Sequence, residues 1–181
     1  MLGLSTGSSQ PRQTLIDDHN VTGAQLAAAD SSENRLLFAS AVLTEPVHIS
    51  GTAKVTIRLA SSKPACNLSV WLVSLPWTNS RRTTDDLITR GWADPQNYKS
   101  LTKSEPLVPG KFYELSFPLQ PDDQIIRKGE RIGMMIFASD HDFTLWPEPG
   151  TALTIDLEAT RLELPVVGGI DAWRSAMAVG D

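Results

Sequence analysis

The Asp140-His141-Asp142 triplet is the densest group of residues in the sequence that could do chemistry. An imidazole between two carboxylates suggests a general base or a metal ligand, because histidine titrates near neutral pH. In an extended backbone, however, consecutive side chains point to opposite sides and do not converge on one atom. A tight connection between strands, with Asp-stabilised turns, explains the same residues without chemistry. We therefore predict that the triplet belongs to a turn or an interface.

Ser5 lies in a Gly-Leu-Ser-Thr-Gly sequence that fits the Gly-x-Ser-x-Gly pattern of a serine nucleophile. In α/β-hydrolases this pattern forms a strained turn between a buried strand and a helix, which exposes the serine hydroxyl. Only Met1 and Leu2 precede the pattern here, and no apolar helix follows it. Because the structural context is missing, we predict a linker at Ser5 and assign no catalytic residue to the chain.

Tryptophan side chains near Pro-containing loops are the best candidates for a binding surface. Trp92 and Trp146 have this setting, and flat aromatic faces stack on sugar rings and on proline. The alternative is ordinary core and rim packing with the indole N–H groups satisfied locally. Asp94 and Asn97 follow Trp92 within a long polar segment, 76–106, and loops of this length are often functional. We predict binding or interface roles for these residues, against a solvated structural loop as the alternative.

The composition excludes several classes of function. The 16 basic and 21 acidic residues give a net charge of −5, without a run of basic residues, so we expect no nucleic-acid partner. The single cysteine, Cys66, excludes an intrachain disulfide and a multi-cysteine zinc site, and the three histidines lie far apart in the sequence. We expect no metal and no cofactor.

No apolar run is long enough for a membrane span and no signal sequence is visible, so we expect a cytoplasmic location.

Several segments alternate apolar and polar residues with period 2, which is typical of half-buried antiparallel strands. Turn signals rich in Gly, Pro and Asp separate them. We therefore predict an all-β sandwich of eight to ten strands, most consistent with a jelly roll, over residues 35–169. Residues 1–34 are predicted to be a linker or a covering strap, and residues 170–181 a tail that forms a short helix or a frayed end. The alternating segments are 54–59, 68–72, 113–119, 131–138 and 153–157.

Six separated motifs, in this order, resemble the C-terminal domain of Xaa-Pro dipeptidyl-peptidases and cocaine esterase-type acyl hydrolases. They occupy 43–51, 67–72, 88–92, 106–113, 128–133 and 138–142, with the sequences LTEPVHISG, NLSVWL, ITRGW, PLVPGKFY, KGERIG and ASDHD. The resemblance extends over residues 36–169. It implies a jelly-roll β-sandwich similar to galactose-binding modules, packed on an α/β-hydrolase domain that carries a Ser-Asp-His triad. No catalytic residue of the family matches a position in this chain.

Two functions follow as hypotheses. The first is a non-catalytic C-terminal domain of a serine hydrolase that packs on the α/β-hydrolase domain, shapes substrate access or forms homo-oligomers. The second is a free-standing module that binds carbohydrate or peptide. A contiguous exposed apolar patch favours the first, whereas a concave cleft flanked by Trp92 or Trp146 favours the second.

Overall fold

Ten antiparallel strands form the framework of the described chain. The computed structural model describes residues 10–80, 82 and 85–177, so the Gly-x-Ser-x-Gly pattern with Ser5 lies outside the described residues. Two helices, α1 and α2, and one 3₁₀ turn complete this part of the chain. The strands are β1 (Arg12–Ile16), β2 (Arg35–Ala39), β3 (Val47–Gly51), β4 (Lys54–Ser61), β5 (Leu68–Leu75), β6 (Leu87–Ala93), β7 (Phe112–Pro118), β8 (Asp122–Ile126), β9 (Arg131–Phe137) and β10 (Ala152–Glu163). The helices are α1 (Gly23–Ala28) and α2 (Gly169–Met177), and the 3₁₀ turn is Pro95–Asn97.

The strands form two four-stranded antiparallel sheets that enclose a common core. Sheet A has the order β1-β10-β4-β7, sheet B has the order β2-β9-β5-β6, and β3 pairs with β8 beside them. Val55, Ile57 and Leu59 of β4 are fully buried between the sheets, as their alternation with Lys, Thr and Arg predicts. The prediction of an all-β sandwich is confirmed, and the jelly-roll connectivity stays a prediction.

Strand β5 is buried on both faces, although alternation predicts one buried face. Leu68 and Val70 face the central core, while Trp71 and Val73 face a second core on the outer side of sheet B. Helix α1 contributes Leu26 to this second core. The helix is remote in sequence, so the alternation within β5 contains no information about this cover. Trp71 is only 5% exposed.

The described part of residues 1–34 contains strand β1 and helix α1, which the prediction of a linker or strap did not include. Strand β1 is only five residues long and acquires its pairing from β10, whose position in the sequence is distant. Helix α1 begins at a capping box: the Thr22 hydroxyl accepts from Gln25 N, and Gln25 Oε1 accepts from Thr22 N. Together β1 and α1 extend sheet A and cover sheet B.

Gly23 fits under the Trp71 ring because it has no side chain. A Cβ atom built at this position would overlap the six-membered ring of Trp71. We expect Gly23→Ala to lower the free energy of unfolding by about 1–3 kcal/mol, despite the better helix propensity of alanine. Urea unfolding of the chain measures the change. Ala24→Ser, at the next and exposed position of α1, is the control, and equal stability of the two variants would contradict this packing.

The strand registers place four long connections at one end of the sandwich, which we call the loop end. Ile16, Ser61 and Phe112 lie at the same end of sheet A as the start of β10, and Arg35, Leu68 and Ala93 lie beside the end of β9 in sheet B. The connections at the loop end are 17–34, 62–67, 94–111 and 138–151.

Helix α2 lies at the opposite end, where the sequence predicted a short helix or a frayed tail. It buries Trp173 and Ala176, and the Thr44 hydroxyl and amide N–H donate to its last turn at Ala176 O. No helix among the described residues is long and apolar enough to cross a membrane.

Candidate functional site

All seven candidate residues from the sequence lie at the loop end. Trp92 lies near the end of β6, and the 3₁₀ turn that follows β6 carries the next two candidates. The remaining four lie in the connection between β9 and β10. The seven residues are Trp92, Asp94, Asn97, Asp140, His141, Asp142 and Trp146.

Asp140 is a fully buried carboxylate that joins the two parts of this site. Its Oδ2 atom accepts a hydrogen bond of 2.9 Å from Trp71 Nε1 and a second of 2.9 Å from Trp92 Nε1. Strands β5 and β6 place the two indoles on the same face, since Trp92 lies opposite Ser69 and Trp71 lies two residues further along β5. The other carboxylate atom, Oδ1, is buried and has no partner among the described residues.

Arg90 supplies a positive charge over the aromatic side chains that surround Asp140. Its guanidinium carbon lies 3.8 Å from the ring centroid of Phe143, 5.4 Å from Trp92 and 5.7 Å from Trp71. The Trp92 and Phe143 rings are stacked with centroids 5.3 Å apart. Cation–π contacts of this kind stabilise a cluster most where water is excluded, so Arg90 and Asp140 together fix the orientation of these rings.

The backbone after Asp140 forms a tight turn, and the Asp-His-Asp side chains diverge. Asp140 O accepts from the N–H groups of Phe143 and Thr144. The His141 ring stacks on Trp146 with centroids 4.9 Å apart, and its Nδ1 donates to His19 O. The Asp142 side chain is exposed. The three side chains therefore share no reaction centre.

Trp146 stacks with two imidazole rings at the surface. The His19 ring stacks on Trp146 with centroids 5.1 Å apart, and the His141 ring packs on the same indole. Trp146 Nε1 donates to His141 O, which holds the indole in a fixed orientation. Although it makes these contacts, Trp146 remains 52% exposed.

Asp94 and Asn97 line a groove of about 300 Å³ beside strand β7. Asp94 Oδ1 accepts from Gln96 N and caps the 3₁₀ turn. Asn97 Oδ1 is buried and has no partner among the described residues. The one lysine of the groove, Lys99, donates to Glu105 at 2.7 Å, and this hydrogen bond raises the pKa of Lys99 to about 12.

Two polar residues that the sequence analysis did not select hold the turn in place. The Asp17 carboxylate is buried and accepts from both N and Oγ of Ser139 at 3.0 and 2.9 Å. The Asn67 amide donates to Ser139 Oγ, Thr144 Oγ1 and Leu145 O. Asp17 and Ser139 are 122 residues apart in sequence, so no local pattern points to this contact.

Large apolar side chains are exposed at the loop end, and three of them, Phe143, Leu145 and Trp146, lie on the turn that these polar contacts hold. Leu101 and Leu145 are each 90% exposed, so that a partner protein can contact almost the whole of each side chain. The exposed apolar side chains at the loop end are Leu101 (90%), Val108 (57%), Phe143 (49%), Leu145 (90%) and Trp146 (52%).

Cys66 lies beneath the loop end and is an inert thiol. It is fully buried, and burial raises the pKa of its thiol from 9.0 to about 12. Above pH 9 the unfolded thiol ionises while the folded thiol does not, so Cys66 stabilises the fold below that pH and loses this contribution as the pH rises. Between pH 9 and 10.5, we expect the unfolding free energy of the unchanged chain to fall more steeply with pH than that of Cys66→Ala. The difference between the two slopes should be up to about 1.4 kcal/mol per pH unit. Urea unfolding at several pH values measures both slopes, and equal slopes would contradict a buried neutral thiol.

A protein-family model for the X-Pro dipeptidyl-peptidase C-terminal non-catalytic domain matches residues 2–177 of this sequence. The chain belongs to this family. A Rhodopirellula baltica protein named "Putative Xaa-Pro dipeptidyl-peptidase" is 57% identical over 159 residues, which cover 87% of this chain and 25% of that protein. A Bacillus cereus protein of the same name is 37% identical, over 92% of this chain and 28% of its own length. The chain therefore spans about a quarter of the length of these curated relatives.

Solved structures of hydrolases share the fold of this domain. An α-amino acid ester hydrolase has a TM-score of 0.66 at 15% identity, over 87% of this chain and 33% of its own. A hydrolase of the CocE/NonD family from Staphylococcus aureus has a TM-score of 0.60 at 10% identity, over 86% of this chain and 33% of its own. At these identities the similarity shows the fold, and the prediction of a family C-terminal domain is confirmed by the family model.

Proposed function

We propose that this X-Pro dipeptidyl-peptidase C-terminal domain packs its loop end on an α/β-hydrolase domain of the same protein. The observation that carries this proposal is the group of exposed apolar side chains at the loop end, three of which lie on a turn that is hydrogen-bonded from within. Soluble monomers rarely expose contiguous apolar patches of large size, and such patches mark interaction sites. Phe143, Leu145 and Trp146 are presented by a turn whose backbone is bound by Asn67 and Asp140.

A rigid apolar loop is well suited to a permanent interface. Binding orders flexible segments at a cost in free energy, and a loop that is already ordered avoids this cost. Tryptophan side chains are enriched among the residues that dominate interface energies, especially in the centre of the contact. Trp146, which stacks with both His19 and His141, has both properties. We infer that Trp146 and Leu145 form the centre of the contact, with the exposed Asp142 at its rim.

We also propose that the loop end borders the substrate path of the complete enzyme. Relatives carry the name Xaa-Pro dipeptidyl-peptidase, and structures that share the fold include an aminopeptidase and an α-amino acid ester hydrolase. A domain that packs beside an active site limits which substrates reach it. The proposed substrate class of the complete protein is accordingly a short peptide with proline at the second position, or an ester of similar size. We also propose a cytoplasmic location, and the buried free thiol of Cys66 is compatible with such a reducing compartment.

Binding of a carbohydrate or an extended peptide in the groove beside β7 is the second candidate function. Trp92, Asp94 and Asn97 line this groove, and the buried Asn97 Oδ1 has no partner among the described residues. A concave site with a few polar groups is the usual form of a ligand pocket. Saturable binding of an oligosaccharide that Asn97→Ala abolishes would favour this function over the first.

A serine-directed fluorophosphonate probe tests the non-catalytic role. We expect the intact mass of the purified chain to be unchanged after treatment, because no serine hydroxyl among the described residues is hydrogen-bonded to a histidine ring and no triad residue of the family matches this sequence. A longer relative that contains the hydrolase domain, treated in parallel, should gain one adduct. An adduct on the chain that Ser5→Ala abolishes would overturn the proposal.

A further inference from the structure

A pocket of about 400 Å³ lies on the outer side of sheet B, at the C-terminal end of α1. Its apolar walls come from Leu37 of β2, Leu75 at the end of β5, and the following Pro76 and Trp77. Two charged side chains line the pocket, the exposed Asp30 and Arg35, and Arg35 is only 8% exposed. None of the candidate residues from the sequence lies in this pocket, and the proposed docking of the loop end does not use it.

The Arg35 guanidinium is fixed by neutral groups only. Its Nε donates to Leu26 O at 2.6 Å and its Nη2 donates to Ala29 O at 2.5 Å, so that it binds the last carbonyls of α1. Arg35 forms no ion pair with a carboxylate of residues 10–80, 82 or 85–177. Burial lowers its pKa from 12.5, and a guanidinium still carries its charge at neutral pH.

A buried charge without a counter-charge is costly, and proteins usually compensate it with an ion of opposite sign. A guanidinium has five N–H groups in a planar fork, and two carbonyls use only part of them. The remaining N–H groups of Arg35 have no acceptor in the described part of the chain. A carboxylate is the natural partner, because it accepts two parallel hydrogen bonds from such a fork.

We propose that this Arg35 pocket binds a free carboxylate attached to an apolar body, of the kind found at the C-terminus of a short peptide with an apolar last residue. The carboxylate would pair with Arg35, and the apolar side chain would lie against Leu37, Leu75 and Trp77. Asp30 also lines the pocket and is exposed. Its negative charge opposes an anionic ligand, so the site favours ligands that also gain from apolar contact.

NMR titration of the 181-residue chain with N-acetyl-L-leucine tests the proposal, with N-acetyl-L-leucinamide as the neutral control. The acid should shift the Trp77 indole N–H signal and the amide signals of Ala28 and Ala29 saturably. The amide should bind at least about tenfold more weakly, since it lacks the charge that pairs with Arg35. Raising the salt concentration should weaken binding of the acid only. Equal shifts from acid and amide, or no saturable shift, would overturn the proposal.

Matched variants separate the ligand site from the structural role of Arg35. Arg35→Gln should abolish binding of the acid, whereas Arg161→Gln, which changes an exposed arginine, should not. Because Arg35→Gln also removes bonds to α1, Asp30→Asn provides a second test in a folded protein. It should tighten binding of the acid about twofold to fivefold by removing the opposing charge, and unchanged affinity would contradict the site.

Measuring the same binding on a longer relative, one that has an arginine at the position of Arg35, distinguishes a free ligand from a carboxylate of the same protein. Binding of the acid to the longer protein with a similar affinity supports a free carboxylate as the occupant. If the chain alone binds the acid and the longer protein does not, a carboxylate of a neighbouring domain fills the pocket, and the proposal of a free ligand is wrong. This outcome is independent of whether the loop end docks as proposed.

Discussion

Asp140→Ala should lower the unfolding free energy of the chain by about 2–4 kcal/mol, the largest loss that we expect from a single side chain at the loop end. Its carboxylate is the acceptor for the indole N–H groups of Trp71 and Trp92. Removing it leaves both donors without a partner, one of them fully buried, and opens a cavity in the aromatic cluster. Urea unfolding followed by tryptophan fluorescence measures the change.

Two further variants define the cause of that loss. Asp142→Ala, two positions along the same turn, alters an exposed carboxylate and should change the unfolding free energy by less than about 0.5 kcal/mol. Asp140→Asn keeps one oxygen acceptor and should be milder than Asp140→Ala. If Asp140→Ala were no more destabilising than Asp142→Ala, the carboxylate would not organise the loop end.

Leu145→Asp should weaken association with the hydrolase domain at least about 30-fold, because a central apolar anchor contributes about 2 kcal/mol or more to such an interface. Leu145 is 90% exposed in this chain, so the substitution leaves the stability of the isolated domain nearly unchanged. Calorimetric titration of this chain with a separately produced hydrolase domain of its own protein measures the affinity.

Val167→Asp is the matched control for that experiment. Val167 is 49% exposed and lies at the opposite end of the sandwich, before α2. We expect it to have no effect on association. The assignment of the interface would be wrong if Val167→Asp weakened association and Leu145→Asp did not.

The strands were predictable because their signal is local. In residues 54–59 of β4 and 153–157 of β10 apolar residues alternate with polar ones, and a half-buried strand requires nothing else. The double burial of β5 was not predictable in the same way, since the cover over Trp71 comes from α1, nearly fifty residues earlier. Strand β1 illustrates the same limit: its five residues gain a partner only when β10 is in place.

The site was predictable as a set of residue types but not as a set of contacts. Trp92, Asp140 and Trp146 were selected for their chemistry and their loops, and the fold brings all three to one end. The hydrogen bond from Trp92 to Asp140 joins residues 48 positions apart, and such pairs depend on topology. Arg35 had no signal at all in the sequence, because an arginine at the start of a strand is usually exposed.

Hydrogen exchange tests the central claim, that the loop end packs on a hydrolase domain, most directly. The isolated chain and the longer protein that contains it would be compared amide by amide. We expect the longer protein to protect the segments around Leu101, Val108 and 143–146, while exchange around Val42 and Val167 stays the same. Protection confined to the end that carries α2, or no added protection at the loop end, would contradict the account.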